Sequence, residues 1–344
     1  MRGLGVRGLT VALGITLGVL LAGHLGADEA FYRGRTIRLV VGYPPGGGFD
    51  VYSRVLARHL GRHIPGGPTV VVENMPGAGG LVAANHLYRV ARPDGLGIGH
   101  FTGGLLLGPL LQQPGADFDA RGFEYVGAPS REQIACALSR ATGIVSIGGW
   151  RASRTPVTMG GTGPGTAQES ATRIVRAALD LPIRIVSGYR GTADLRLAVD
   201  SGELAGACVN WSSMRSGWSE VLRTGEVTVV LAVAARPIPE LPGVPLAIDL
   251  TRTPEGRRLV EVGVHDQGAL ARPYVLPPGT PPGRVQLLRE AFRATLDDAA
   301  FRAEAERARL DIDPVSGEDL GTVVERLSAL EPALVRRLRA VLLE

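Results

Sequence analysis

The chain repeats one local pattern four times: a short apolar segment, a glycine-rich turn and then an amphipathic helical stretch. The four turns lie at residues 43–50, 74–80, 160–166 and 187–192. After the first turn, Val51, Val55 and Leu56 recur at helical spacing. Strands that alternate with helices favour a parallel sheet with helices on its faces, because each crossover helix packs back onto the sheet. The sequence therefore predicts an α/β protein.

Length and composition indicate how many such units to expect. The 344 residues allow roughly two domains of about 150 residues each. With 45% hydrophobic and 20% charged residues the chain has a globular balance, which excludes a mainly disordered protein. We expect two α/β units, each with its own set of parallel strands, predicted at 36–43, 69–73, 156–161, 183–189, 206–210 and 227–234. The C-terminal region is predicted to be helical at 285–296, 301–309 and 320–343.

Residues 1–27 have the layout of a secretory signal peptide. Arg2 and Arg7 precede an uncharged apolar run at 9–22, and small residues follow up to Ala27. The run is shorter than the roughly 20 residues of a comfortable membrane span, so a cleaved signal is favoured over a retained anchor. The segment contains no cysteine for a lipid anchor. We expect export to the periplasm.

The charges exclude several classes of site. The 37 Lys+Arg residues are all arginine. Without lysine there is no Walker A motif, no pyridoxal phosphate Schiff base and no lysine general base. The net charge of +4 is small and the arginines form no run, so nucleic-acid binding is not expected.

Cys136 and Cys208 leave two alternatives open. An even pair in an exported protein permits a disulfide. Both residues also lie in apolar strand-like segments, IACAL and GACVN, where two buried free thiols would fit equally well.

The glycine-rich turns are candidate anion sites. A helix N-terminus presents unpaired N–H groups and a partial positive charge, and glycines before it let a ligand approach the backbone. Such a site binds carboxylate or phosphate without a cationic side chain. Thr162 and the amides around Gly163 and Gly165 are the ligand candidates in the third turn.

Two side chains at these helix starts have structural alternatives. Thr166 and Glu169 fit a capping box, with Thr166 as N-cap and Glu169 reaching back to it. Asp50 is interpreted either as an N-cap that bonds the amide of Ser53 or as a ligand contact.

Other kinds of site have little support. The glycine patterns do not match a dinucleotide fingerprint, and no GxSxG nucleophile elbow is present. His59 and His63 have i,i+4 spacing but no intervening carboxylate as in HExxH, so we interpret them as part of a solvated helix face. Trp211 follows a predicted strand end and is either a pocket wall or a core residue.

Longer motifs then identify a family. FYRGRTIRLVVGYPPGGGFDVYSRVLARHL, VVVENMPGAGG and ARPDG come first, and VTMGGTGPGT, SGYRGTADLRLAVDSGEL and ARPYVLPPGTPPGRVQLLREAF follow. In this order they resemble the substrate-binding proteins of tripartite tricarboxylate transporters, the Bug family of periplasmic receptors. The resemblance covers nearly all of the chain after the signal.

The resemblance implies a type II periplasmic binding protein fold. Two doubly wound α/β lobes are joined by a hinge and close on a central ligand cleft, as in a Venus flytrap. Lobe 1 is expected at 31–128 plus 235–344, and lobe 2 at 129–234.

The family's ligand-binding positions carry over to this sequence by motif. They are Tyr43, Pro45, Gly46, Gly47, Gly48, Phe49 and Asp50 in the first turn, Gly77, Ala78 and Gly79 in the second, Gly161, Thr162, Gly163 and Thr166 in the third, and Tyr189, Arg190 and Gly191 in the fourth, with Trp211 as a wall. Members often have Ser and then His where this chain has Pro164, Gly165, Thr166 and Glu169, and a small polar residue where it has Phe49. Phe49 suggests an aromatic or larger apolar acid.

The function implied is that of an extracytoplasmic receptor. It captures a small organic acid and delivers it to the membrane permease subunits of a tripartite tricarboxylate-type transporter. We expect a monomer without enzymatic activity, cofactor or metal. The alternatives are a secreted enzyme on the same fold that acts on a small carboxylate, and a ligand-sensing receptor for a two-component system.

Overall fold

The structure is a computed structural model that describes residues 31–107, 115–163 and 166–343. The predicted signal peptide at 1–27, together with Pro164 and Gly165, lies outside the described residues. The described chain packs into two compact units. Unit 1 contains residues 31–105, 115–127 and 273–318, and unit 2 contains 106–107, 128–163, 166–272 and 319–343.

Strands and helices alternate through most of the chain. The strands are β1 (Thr36–Val41), β2 (Thr69–Asn74), β3 (Gly97–His100), β4 (Glu124–Ala128), β5 (Ile134–Ser139), β6 (Val157–Gly160), β7 (Ile183–Val186), β8 (Gly206–Asn210), β9 (Val227–Val233), β10 (Tyr274–Leu276) and β11 (Val315–Ser316). The α-helices are α1 (Gly48–Leu60), α2 (Leu81–Arg89), α3 (Ile147–Arg151), α4 (Ala167–Leu179), α5 (Thr192–Asp200), α6 (Trp211–Gly217), α7 (Ser219–Arg223), α8 (Pro254–Val260), α9 (Asp266–Ala269), α10 (Pro282–Asp297), α11 (Ala299–Arg307), α12 (Gly317–Ser328) and α13 (Pro332–Leu343). A π-helical turn, Glu261–His265, lies between α8 and α9. No helix in the described part of the chain is both long enough and apolar enough to span a bilayer.

Unit 1 is built on a six-stranded sheet in the order β11-β4-β10-β3-β1-β2. β1 pairs in parallel with β2 and with β3, as expected for βαβ units. β10 runs antiparallel to both β3 and β4. In β1 the first residues alternate between exposed and buried, and the last three are all buried, so the strand enters the core at its carboxyl end.

Unit 2 is built on a five-stranded sheet in the order β7-β6-β8-β5-β9. β6 pairs in parallel with β7 and β8, whereas β5 is antiparallel to both β8 and β9. Each unit therefore has the predicted set of parallel strands, namely β1, β2 and β3 in unit 1 and β6, β7 and β8 in unit 2. Both sheets are nevertheless mixed, because β10 in unit 1 and β5 in unit 2 run opposite to their neighbours.

A disulfide crosses the centre of the second sheet. Cys136 on β5 lies directly opposite Cys208 on β8, and the two sulfurs are bonded. Both residues are fully buried. The sequence left open a disulfide or two buried free thiols, and the structure contains the disulfide.

The last helices cover unit 2 rather than unit 1. Segments 235–272 and 319–343 pack with unit 2, although the sequence placed both in lobe 1. At one contact, Ile174 on α4 and Leu338 on α13 meet over Gly263, where a side chain would collide with Ile174. The apolar face of α4 thus packs against these segments and places them with the sheet of unit 2.

Two predictions about helices are wrong. The predicted helix at 320–343 is broken into α12 and α13, because Pro332 lacks the N–H that would continue it and instead begins the second helix. The solvated face predicted for His59 is buried. Its Nε2 atom lies 2.6 Å from Glu304 Oε2, and its ring packs edge-on against Phe301 of α11.

Candidate functional site

The first turn joins β1 to α1, and its backbone is exposed. Residues 44–48 are exposed, whereas Tyr43 and Phe49 at its ends are half-buried. The rings of Tyr43 and Phe49 stack with centroids 4.4 Å apart, and Phe49 also contacts the buried His100 ring at 4.9 Å. Protein side chains therefore engage the Phe49 ring, so the turn presents mainly main-chain groups.

Asp50 is the buried anchor of this turn, with 2% of its surface exposed. Its Oδ2 atom accepts the Gly46 N–H at 2.8 Å and the Arg54 Nε–H at 2.9 Å. Its Oδ1 atom accepts from Asn74 Nδ2 at 2.9 Å. Burial alone would raise the pKa of this carboxyl, but the hydrogen bonds and the Arg54 charge outweigh it and lower the pKa of Asp50 to about 2. The side chain is therefore ionised and accepts hydrogen bonds from three protein donors.

The predicted N-cap role of Asp50 is wrong. α1 begins at Gly48 with Gly47 as its N-cap, and no side chain caps it. Asp50 is the third helical residue and bonds backward to Gly46, not forward to Ser53. The helix therefore begins two residues before the residue that looked like its cap.

The second turn is tied to the first. Tyr43 Oη donates to the Gly79 carbonyl at 2.9 Å, and Asn74 Nδ2 donates to the Tyr43 carbonyl at 2.9 Å. Ala78 (φ 44°) and Gly79 (φ 66°) are left-handed. A Cβ on Gly42 would lie 2.9 Å from the Gly80 Cα, so only glycine permits this approach of the two turns.

The third turn, in unit 2, precedes α4 and is closed by hydroxyl groups. Thr166 is the N-cap, and its Oγ1 accepts the Glu169 N–H, which confirms its predicted role. The same hydroxyl donates to the Gly163 carbonyl at 2.8 Å, and Thr162 Oγ1 donates to Thr166 Oγ1 at 2.9 Å. The turn is therefore folded onto the first residues of its helix.

Glu169 is fully buried and does not close the predicted capping box. Its Oε2 atom accepts the Gly163 N–H at 2.8 Å and the Ser187 hydroxyl at 2.6 Å. Its Oε1 atom accepts two bonds from Arg173, at 3.1 and 2.9 Å. Burial works against ionisation, but the hydrogen bonds from these donors lower the pKa of Glu169 below its ordinary value. The predicted bond back to Thr166 is replaced, because the Thr166 N–H is taken by the Gly163 carbonyl.

The fourth turn leads into α5 and is more exposed. Tyr189 Oη donates to Glu203 Oε1 at 2.5 Å, and burial together with this bond raises the pKa of Tyr189 to about 12. Arg190 is exposed and pairs with Asp194 at 2.8 Å. Gly191 is the N-cap of α5. The third and fourth turns meet at the Gly161 carbonyl, which accepts the N–H groups of Gly188 and Tyr189.

Trp211 is buried in the core of unit 2 with 8% of its surface exposed. It begins α6 directly after β8, whose neighbour β6 leads into the third turn. Its indole Nε1 has no hydrogen-bond partner among the described residues. Its burial fits core packing, and its assignment as a wall stays a prediction.

Sequence reasoning missed four residues that organise these turns: Asn74, Arg54, Ser187 and Arg173. A signal was present, because an acid at the third helical position is followed by arginine four residues later in both α1 and α4. Asn74 and Ser187 could not be found in this way, since they lie at the ends of the neighbouring strands.

The charges at the turns are balanced. Each buried carboxylate is paired with one arginine, so neither network adds a net negative charge beside the helix start. The N-terminal amides of α1 and α4 keep their partial positive charge, which favours an anionic ligand. In residues 31–107, 115–163 and 166–343 no group of three or more His, Cys, Asp or Glu side chains is placed to hold a metal ion.

Comparisons of sequence identify the family. The model of the tripartite tricarboxylate transporter family receptor matches residues 53–337. BugT of Bordetella pertussis is 42% identical over 84 residues, which are 24% of this chain and 23% of that protein. A UPF0065 protein of Cupriavidus necator is 40% identical over 91 residues, 26% of this chain and 25% of that protein. The aligned segments thus span about a quarter of the length of these two curated relatives.

Solved structures share the fold. A TctC solute-binding protein from Polaromonas has a TM-score of 0.74 at 20% identity, over 89% of this chain and 99% of that chain. MatC from Rhodopseudomonas palustris with bound malate has a TM-score of 0.55 at 20% identity, over 90% and 99%. An R. palustris protein with adipate has a TM-score of 0.57 at 19% identity, over 89% and 97%.

Proposed function

Because the chain belongs to the tripartite tricarboxylate transporter receptor family, we propose that it is a periplasmic receptor that captures a small organic acid by its carboxylate and delivers it to the permease subunits of such a transporter. The observation that carries the proposal is the family match over residues 53–337. The receptor binds its solute without chemical conversion, and the ligand leaves unchanged.

The turns of both units support carboxylate capture. Gly47 and Gly48 at α1, and the first residues of α4, carry N–H groups that have no acceptor one helical turn earlier. Exposed glycines leave room for an anion to approach these groups. We propose that the N–H groups at each of these helix starts are donors to a carboxylate.

The internal hydrogen bonds narrow the set of ligand-binding groups. Asp50 is buried, ionised and bonded to three protein donors, so it would repel an anion and is not a contact in this proposal. The N–H groups of Gly46 and Gly163 are directed at buried carboxylates. The proposed donors are the N–H groups of Gly47 and Gly48 and those of the first two residues of α4, whereas the Thr162 hydroxyl already donates to Thr166.

Calorimetry tests the capture of an acid. The exported protein is unfolded in denaturant to remove any retained ligand, refolded with its disulfide intact, and titrated with malate, adipate and citrate. We expect at least one acid to bind at micromolar concentration or tighter. Adipamide, the neutral diamide of adipate, is the matched control and should not bind, because it lacks the charge that the helix starts recognise. A protein that binds none of the acids would contradict the proposal.

Export has a separate test. The signal predicted at 1–27 leads us to expect a mature protein that begins near residue 28. Mass spectrometry of protein from a periplasmic extract measures this start directly. Full-length protein retained in the cytoplasm would contradict the proposed location.

A further inference from the structure

The two units share an arrangement that the overall pattern of strands and helices does not require. Asp50 is the third residue of α1, and Glu169 is the third residue of α4. Each carboxylate accepts the N–H of a glycine in the preceding turn, namely Gly46 and Gly163. The same construction thus occurs at two helix starts that belong to different sheets.

The remaining partners also correspond. Each carboxylate accepts from an arginine four residues later, Arg54 or Arg173. Each also accepts from a polar side chain at the carboxyl end of the neighbouring parallel strand. In unit 1 this is Asn74, the last residue of β2, and in unit 2 it is Ser187, which directly follows β7. The acid therefore connects the turn, its helix and the adjacent strand.

Burial makes these bonds costly to break. An acid at the third helical position usually supports its own helix start at the surface. Here Asp50 and Glu169 expose 2% and 0% of their surface. A substitution that leaves the hydrogen bonds of such a buried side chain unmet is more costly than the loss of a surface bond.

We infer that Asp50 and Glu169 are positioning residues for ligand binding. Each pulls one glycine N–H of its turn inward and so holds the other amides of that turn open for the carboxylate of the ligand. Neither contacts the ligand. The inference rests on the proposed function, because it assumes that those amides bind an acid.

In unit 2, the close contact between Gly161 and Glu169 is a second observation that supports a positioning role. A Cβ on Gly161 would collide with Glu169 Oε2, so only glycine at 161 lets the carboxylate reach Gly163 and Ser187. Substitution of Gly161 by alanine should displace the carboxylate without removing its charge. Gly161→Ala and Glu169→Gln should therefore weaken binding by less in combination than the product of their separate effects.

The test compares Asp50→Asn and Glu169→Gln with the wild type in calorimetry with malate and adipate. We expect the Kd of each variant to rise about tenfold or more for whichever probe binds the wild type. Asp200→Asn is the matched control, because Asp200 pairs with Arg196 at i,i+4 spacing but lies at the end of α5. It should leave the Kd within about twofold.

A spectroscopic readout separates positioning from general loss of stability. The amide protons of Gly46 and Gly163 donate to carboxylates, so in ¹H–¹⁵N spectra of the free protein they should lie downfield and move upfield in Asp50→Asn and Glu169→Gln respectively. If Glu169→Gln does not fold, Ser187→Ala removes one donor and keeps the charge, and we expect about a threefold rise in Kd. The inference is overturned if the wild type binds a probe and the folded variants bind it equally well. If the wild type binds no probe, the proposed function fails, and unmoved glycine signals would then overturn the inferred network separately.

Discussion

Removal of a single main-chain N–H tests the basis of ligand binding. Gly48 is the first residue of α1, a position where proline is tolerated because its N–H has no intrahelical acceptor. The preceding residue, Gly47, has φ −80° and ψ 168°, which is the extended conformation that a residue before proline adopts. Gly48→Pro therefore deletes one donor and leaves the helix start intact.

The size of the effect follows from the kind of bond that is lost. A hydrogen bond to a charged group contributes roughly 1.5–3 kcal/mol. We therefore expect the Kd for the bound acid to rise about 10- to 150-fold, at about 1.4 kcal/mol for each tenfold change. Stability should stay the same or increase by roughly 0.4–1 kcal/mol, because proline restricts the unfolded chain.

The assay is calorimetry of the wild type and three variants, with urea unfolding of each. Ala167→Pro makes the same change at α4, where Thr166 has φ −75° and ψ 149°. Ala299→Pro is the control at the first position of α11. There the Asp298 side chain accepts the N–H groups of Ala300 and Phe301, and not that of Ala299. An unchanged Kd for Gly48→Pro, or an equal rise for Ala299→Pro, would refute the reasoning.

Three further predictions concern stability. Replacement of Cys136 and Cys208 by alanine should lower the free energy of unfolding by about 4 kcal/mol, because the bridge closes a loop with a sequence separation of 72; equal urea midpoints for the two proteins would contradict this. The pKa of Asp50 falls from 3.8 to about 2 on folding, so its charge contributes roughly 2 kcal/mol above about pH 4 and progressively less as the pH falls towards 2. The stability difference between wild type and Asp50→Asn should therefore shrink between pH 6 and pH 2.5, and a constant difference in urea unfolding would speak against the network. Gly42→Ala should cost about 1–3 kcal/mol, because its Cβ would lie 2.9 Å from the Gly80 backbone; an unchanged urea midpoint would mean that the two turns separate freely.

Local patterns predicted many of the elements well. The strand predicted at 69–73 is Thr69–Asn74, and the strand predicted at 206–210 is Gly206–Asn210. Thr166 was identified as an N-cap from its spacing to Glu169 alone. These features depend on residues within one or two turns of each other, which a single sequence displays directly.

Local patterns do not predict the contacts between segments that are far apart in the chain. β10 inserts between β3 and β4, and nothing near residues 274–276 indicates which strands will flank it or in which direction. The break before Pro332 was missed, although proline is a local signal, because the apolar periodicity continues through it. A helix break at proline can thus be predicted from the sequence near it, whereas no local pattern specifies the strand order.

The sequence by itself determined where the glycine-rich turns lie, which helices follow them and, through its motifs, the family to which the chain belongs. Only the tertiary structure decided what the two acids at the helix starts bind. Asn74 is 24 positions from Asp50, and Ser187 is 18 positions from Glu169. These side chains meet because parallel strands bring their carboxyl ends to one edge of a sheet, so the partner of a buried charge depends on strand order rather than on neighbours along the chain.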